Sequence, residues 1–163
     1  RRDYVIGKLG VPLALSLAVT LVPGLALYAA ALSLSPDQFF AWELAWIGPA
    51  IVLNATVISL FVSLLSLTVS ALSRSARVAG LAFFGLIFGL EMVRVVLQHG
   101  FGRREAMMLS FQAGLRSLGS SLFGLADPEL AMHWVAPAGV LIAVSLACLA
   151  ILRVRVRAVE IVT

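Results

Sequence analysis

The sequence predicts an all-α protein, a polytopic bundle of four transmembrane helices with an additional amphipathic or re-entrant helical segment on the outer side. Composition is the first reason, because 61 % of the 163 residues are apolar, only 12 % are charged and the mean hydropathy is +1.06. A soluble domain is about half apolar and about a quarter charged. The second reason is four long apolar runs, since a helix needs about 20 apolar residues to cross a bilayer core about 30 Å thick. We therefore expect a single transmembrane domain over residues 1–163.

The four predicted spans cover residues 9–34, 44–72, 78–97 and 135–152. Pro12 and the Pro23-Gly24 pair lie within the first span, so we expect a kink there, because proline removes one backbone hydrogen bond and crowds the preceding turn. The second span is long enough to tilt or to project beyond the lipid.

Lysine and arginine predict the orientation of the spans. Basic residues occur before the first span, between the second and third, and after the fourth, and an even number of spans places all three groups on one face. That face is predicted to be cytoplasmic, with loops at 1–8 and 73–80 and a tail at 153–163. These groups hold eight of the twelve cations, namely Arg1, Arg2, Lys8, Arg74, Arg77, Arg153, Arg155 and Arg157.

Several residues of the opposite, outer face bear on this orientation. Trp42, Trp46 and Trp134 fall at the outer interface, where tryptophan is enriched. Arg103 and Arg104 fall there too and count against the assignment, as does Arg116 to a smaller extent. The positive net charge is accounted for by these clusters at the ends of spans, which favours membrane topology over a nucleic-acid partner.

The second span carries a stripe of hydroxyl side chains that recur every three or four residues. Small polar side chains in lipid mark positions where helices approach closely and hydroxyls bond across the contact. Two interpretations remain open: packing within the chain, or a dimer interface or substrate path. The stripe consists of Thr56, Ser59, Ser63, Ser66, Ser70 and Ser73.

The third span combines a glycine pair with a pair of charges. Gly85 and Gly89 are four residues apart and match the small-residue pattern of close helix packing. Glu91 and Arg94 are three residues apart, so they can pair on one helix face. A charge within a membrane is costly and usually faces protein or water. The pair is either a polar contact in a translocation path or a structural pair at the outer interface.

The long connection at residues 98–134 is predicted to be extracytoplasmic and partly helical. Leucines recur in it with serines and an arginine between them, which is a modest amphipathic signal. The segment is too polar to span, so we expect it to lie on the interface or to dip in and return. The leucines are Leu109, Leu115, Leu118, Leu122 and Leu125.

Catalytic and metal-binding patterns have little support. Cys148 is the only cysteine, so it supports neither a disulfide nor a thiolate zinc site and is interpreted as a small buried hydrophobe. His99 and His133 have no carboxylate at metal-ligand spacing. The sequence has no phosphate-binding glycine loop, no His-Glu-x-x-His helix and no nucleophile elbow. No cofactor is therefore expected in this chain.

The two ends of the sequence carry the patterns of a known family. The opening "RRDYVIGK" supplies Arg1, Arg2, Tyr4, Gly7 and Lys8, and the strand-like tail "RVRAVE" runs over residues 155–160. These motifs and the order of the loops (basic, acidic, basic, long amphipathic, basic) resemble permease subunits of the ABC-2 class of ATP-binding-cassette transporters.

The resemblance implies a function and a set of partners. The chain would be helices three to six of a six-helix permease in the bacterial inner membrane, with the first two helices upstream and a second permease subunit beside it in the lipid. A separate cytoplasmic subunit would bind ATP and Mg²⁺ and hydrolyse the ATP, so this chain itself would not be an enzyme. The residues expected to contact that subunit are Arg1, Arg2, Tyr4, Lys8, Arg74 and Arg77.

Two other functions stay open. The first is an intramembrane enzyme that acts on lipid or peptide through Glu91, Arg94, His99 and His133, which requires the histidines and Glu91 to converge within hydrogen-bonding distance. The second is a membrane assembly partner that transports nothing.

Overall fold

The computed structural model describes residues 2–34, 45–73, 75–101, 110–125 and 135–158, and the regular structure in these ranges is helical. Four of the five helices are long and apolar enough to cross a membrane, which confirms the predicted class. The exception, α4, lies within the predicted outer connection. The helices are α1 (Arg2–Leu34), α2 (Ile47–Leu72), α3 (Ala76–Phe101), α4 (Phe111–Leu122) and α5 (Val135–Ala158).

Helices extend beyond the apolar runs at several boundaries. α1 begins at Arg2, so residues 2–8 of the predicted cytoplasmic segment are helical, while their position outside the membrane stays a prediction. α3 begins at Ala76, which shortens the loop predicted at 73–80 to the residues before it. α5 continues to Ala158, so the strand-like description of the tail is wrong up to that residue, and 159–163 lie outside the described residues. Hydropathy locates the lipid core, whereas backbone hydrogen bonding can continue past it into the interface.

The first of two compact units comprises Arg1–Ser63 and Leu122–Gly124. Within it, α1 and the first part of α2 pack closely: a Cβ placed on Gly24 would lie 2.9 Å from Cγ2 of Ile51, and one on Gly48 would lie 3.2 Å from the Tyr28 ring. A side chain at position 24 would therefore force Ile51 to shift, whereas one at position 48 would need the Tyr28 ring to give by only a few tenths of an ångström. α1 is continuous through Pro12 and Pro23, and the kink stays a prediction.

The second unit comprises Leu64–Ser121 and Leu125–Thr163. Here α4 packs on α5, and a Cβ on Gly114 would lie 3.4 Å from Cδ1 of Leu141 and 3.7 Å from Cβ of Pro137. After α4, Gly124 has a φ of 63°, and the amide of Leu125 donates to the carbonyl of Ser120 at 2.8 Å. This is the six-to-one bond of a Schellman motif, whose left-handed residue favours glycine.

Candidate functional site

Glu91 lies at the centre of a polar cluster on α3. Both Nε and Nη2 of Arg94 donate to Oε1 of Glu91, at 3.0 Å and 2.5 Å. Nη1 of Arg94 donates to Oε1 of Gln98 at 2.8 Å. The ion pair predicted from the three-residue spacing is thus formed, and Gln98 extends it by one further turn of the same helix face.

Ser110 completes this cluster from outside α3. Its hydroxyl donates to Oε2 of Glu91 and accepts a hydrogen bond of 3.2 Å from the backbone amide of Ala113. Ser110 is therefore the N-cap of α4, because its side chain satisfies an amide in the first turn of that helix. One hydroxyl group joins the start of α4 to the carboxylate on α3.

The charged pair is partly shielded and the cap is buried. The side chains of Arg94 and Glu91 are 22 % and 23 % exposed, and Ser110 is 3 % exposed. Glu91 lies about 22 Å along the axis from the start of α3, at about 1.5 Å per residue. At that depth an isolated charge is costly, and pairing with hydrogen bonds reduces the cost.

The buried face of α4 consists of small residues rather than the leucines of its sequence pattern. Leu115, Leu118 and Leu122 are partly exposed, and Leu125 is 66 % exposed. The structure confirms a helix in the predicted outer connection, but its leucine side is left available for lipid while the small side packs against protein. The buried residues are Ala113, Gly114, Ser117 and Gly119.

The hydroxyl stripe of α2 divides into buried and accessible positions. Ser59 and Ser63 are almost fully buried, at 0 % and 1 % exposed. The Ser59 hydroxyl lies 3.3 Å from that of Thr20 on α1, which is the interhelical contact that packing predicts. Ser63 has no hydrogen-bond partner within the described ranges. Thr56 bonds to the carbonyl of Val52 in its own helix, at 2.7 Å.

The remaining stripe residues do not share the buried contact. Ser66 is half-buried and Ser70 is exposed, while Ser73 donates to the carbonyl of Val69 at 2.8 Å. A substrate path along the stripe stays a prediction. Sequence reasoning missed Thr20 and Gly24 as the α1 side of the contact. Their spacing of four residues, continued by Tyr28, is the signal that could have revealed them.

Gly85 and Gly89 make no close contact among the residues that the structure describes. A Cβ on either glycine would meet nothing within 4 Å. Phe84 and Phe88, on the same helix, stack with ring centroids 6.1 Å apart and are more than half exposed. The predicted packing role of the two glycines therefore stays a prediction.

The turn between α2 and α3 is short and hydrogen-bonded. α2 ends at Leu72 and α3 begins at Ala76. The Ser75 hydroxyl accepts a bond of 3.4 Å from the amide of Val78. Arg77, in the first turn of α3, is exposed. Arg74 and Arg1 lie outside the described residues.

The histidines and the cysteine form no metal site within the described ranges. The described ranges hold no group of three or more potential metal ligands. Nδ1 of His99 lies 3.1 Å from the carbonyl of Val95 in its own helix. His133 lies outside the described residues, so the convergence that an intramembrane enzyme would need is untested. Cys148 is a free, buried thiol, as predicted.

Comparisons with protein-family models, with characterised proteins and with solved structures found no match for this chain.

Proposed function

We propose that this chain is the membrane-embedded permease subunit of an ATP-driven exporter of the ABC-2 class. It would pair with a second permease subunit and bind a separate ATP-hydrolysing subunit on its cytoplasmic face. The proposal places the protein in a bacterial inner membrane with both ends of this chain in the cytoplasm. ATP and Mg²⁺ belong to the partner, so this chain supplies the path and the mechanical coupling.

The distribution of basic residues is the observation that carries the proposal. Four helices are long and apolar enough to span, and four crossings would bring the basic groups of both ends and of the α2–α3 turn to one side of the membrane. A cytoplasmic ATPase would bind on the side of the membrane that carries these basic groups. The motifs at the start and at the end of the sequence resemble those of the permease class. The charge rule supports the cytoplasmic assignment.

The α2–α3 turn is suited to transmit movement. It is short, and hydrogen bonds continue on both sides of it, from the amide of Ser73 to Val69 at 3.1 Å and from that of Ala79 to Ser75 at 3.0 Å. A displacement of the turn by a bound ATPase would therefore move α2 and α3 rather than be absorbed by a flexible loop. Rigid-body helix movement of this kind is a common way to open and close a path.

Co-purification tests the proposal. The full-length protein is extracted in mild detergent, and soluble proteins that remain in stoichiometric amounts are identified. We expect a nucleotide-hydrolysing subunit. Purification of the permease alone, from cells that express its neighbouring genes, would contradict the proposal. It would favour the alternative of an intramembrane enzyme that uses Glu91 and the two histidines.

Reversal of two charges tests the coupling turn. Replacing both Arg74 and Arg77 by Glu should reduce recovery of the ATPase at least about tenfold, because basic groups that would attract an acidic surface of the ATPase are replaced by acidic groups that would repel it. The matched control reverses Arg103 and Arg104, which the orientation places on the opposite face. Membrane insertion should be retained in both variants. Equal recovery from both would mean that the ATPase does not bind at this turn.

A further inference from the structure

The second compact unit holds α4 at two places with different chemistry. Near its middle, Gly114 packs against Pro137 and Leu141 through apolar contacts. At its start, Ser110 bonds to Glu91 on α3. The apolar contact has no directional requirement, whereas the bond to Glu91 specifies where the helix begins.

The Ser110 hydroxyl donates one hydrogen bond and accepts another at this junction. A serine hydroxyl has one proton to donate and oxygen lone pairs that accept. The proton goes to Glu91, and a lone pair accepts the amide of Ala113. In a capping box, a Glu or Gln side chain at the third residue of the same helix accepts the backbone amide of the cap residue. Here a carboxylate from another helix, 19 residues earlier in the chain, accepts the hydroxyl of the cap residue instead.

Arg94 orients the carboxylate for this role. It binds one oxygen, Oε1, through two nitrogens, and Gln98 holds a third nitrogen of the same guanidinium. Oε2 is thereby left for Ser110. The three side chains on α3 form a preorganised acceptor, because charge-assisted bonds within α3 fix the geometry of the carboxylate independently of α4.

We propose that Glu91 is a positioning residue that fastens the start of α4 to α3, so that α4 follows α3 as one body. The joint movement of α3 and α4 rests on the proposed function, because only a transport cycle requires α3 to move. The fastening itself is a property of the bonds among Glu91, Ser110 and Ala113. It assigns Glu91 and Arg94 to control of α4 rather than to contact with a transported substrate.

Distance measurement between spin labels tests the fastening. Labels are attached through Leu81→Cys on α3 and Gln112→Cys on α4, both at exposed positions, in full-length protein with Cys148→Ala in lipid nanodiscs. Leu81 lies about 15 Å along α3 from Glu91. Exchange of the amides in the first turn of α4 is measured in parallel, because it reports the helix cap independently of the position of the helix.

Variants of Ser110 separate the cap from the fastening. Ser110→Thr keeps the cap and the bond to Glu91. It should match the parent in the spin-label distance and in first-turn amide exchange. Ser110→Asp keeps an N-cap acceptor but places a second carboxylate against Glu91, so it should broaden the distance distribution and leave first-turn exchange near that of the parent. Ser110→Ala loses the cap and the bond to Glu91. It should broaden the distance distribution and speed first-turn amide exchange about fivefold, the effect of losing a typical cap.

Variants of Glu91 complete the test. Glu91→Ala should broaden the distance distribution as Ser110→Asp does. Combining Glu91→Gln with Ser110→Asp should restore a narrow distribution, because the new amide can donate to the new carboxylate. An unchanged distribution in Glu91→Ala would overturn the proposal, since the Gly114 contact would then suffice. Should Glu91→Ala fail to fold, an unchanged distribution in Ser110→Asp would overturn it equally.

The test is separable from the proposed function. The distances are first measured without any partner, so the fastening can stand even where no ATPase is found. In the ATPase complex, the parent distance should stay constant between the nucleotide-free and nucleotide-bound states, and that of Glu91→Ala should change. A parent distance that changes with nucleotide would overturn the joint movement of α3 and α4 but not the permease assignment.

Discussion

The α1–α2 contact and the α3–α4 junction join helices by opposite means. The first uses glycine and hydroxyl groups, with Gly24 against Ile51 and Ser59 beside Thr20. The second uses an ion pair whose carboxylate binds the cap of another helix. Close backbone approach depends on shape and tolerates the loss of one weak bond, whereas a charge in a membrane must keep its partners.

Each of the two contacts is sensitive to a different kind of substitution. In the α1–α2 contact, added volume is harmful and lost polarity is nearly harmless. In the α3–α4 junction, lost polarity is harmful because it leaves an ionised group without a partner. The two contacts therefore predict opposite rankings for mutations that add atoms and mutations that remove charge.

The largest effect is expected at the charged junction. Glu91→Ala leaves the Arg94 guanidinium without its carboxylate and should lower the free energy of unfolding by about 2–3 kcal/mol, less than for a fully buried pair because both side chains are partly exposed. Arg94→Ala should act similarly. Reversible unfolding in mixed detergent micelles measures both.

The double variant provides the control for that prediction. Replacing both Glu91 and Arg94 by Ala should cost less than the two single effects together, because no unpaired charge remains. Additive effects would mean that the two charges are independently solvated and that their bonds contribute little.

A somewhat smaller effect is expected from added volume between α1 and α2. Gly24→Leu should lower the free energy of unfolding by about 2 kcal/mol, since even its Cβ would enter the space of Ile51. Gly85→Leu is the matched control on an open helix face and should leave the stability of the isolated subunit nearly unchanged. Ile51→Ala should recover part of the loss. Equal effects of the two leucine substitutions would contradict the close approach at Gly24.

The smallest effect distinguishes the two buried serines of α2. Ser59→Ala removes the hydroxyl contact with Thr20 and should cost about 0.6 kcal/mol, the average for hydrogen bonds between membrane helices. Ser63→Ala removes a hydroxyl that has no partner among the described residues and should be neutral or stabilising. The same unfolding assay compares them, and a larger loss at Ser63 would indicate an additional polar partner.

Gly85→Leu also sharpens the question of the second subunit. Among the described residues, a Cβ on either glycine of α3 would meet nothing within 4 Å, so a second molecule could pack against this face. In that case Gly85→Leu should weaken subunit association in nanodiscs while the unfolding of the isolated subunit stays unchanged. Unaltered association would mean that this face of α3 contacts lipid and not a second subunit.

Local pattern was sufficient for the helices and for the ion pair. Four apolar runs predicted the four long helices, because the bilayer requirement acts on short windows of sequence. The spacing of Glu91 and Arg94 predicted their pairing, because both lie on one helix. The exact ends of α1, α3 and α5 were beyond this reasoning, since hydropathy does not register helical turns that continue into the interface.

The membrane class, the number of long helices and the charge pair follow from the amino-acid sequence alone, because each depends on residues close together in the chain. The tertiary structure alone decided that Thr20 lies beside Ser59, that Ser110 joins Glu91, and that small residues rather than leucines form the buried face of α4. Those contacts depend on how each helix is rotated and which helix it packs against. Periodicity describes a helix face, but only the folded chain selects the partner that the face will meet.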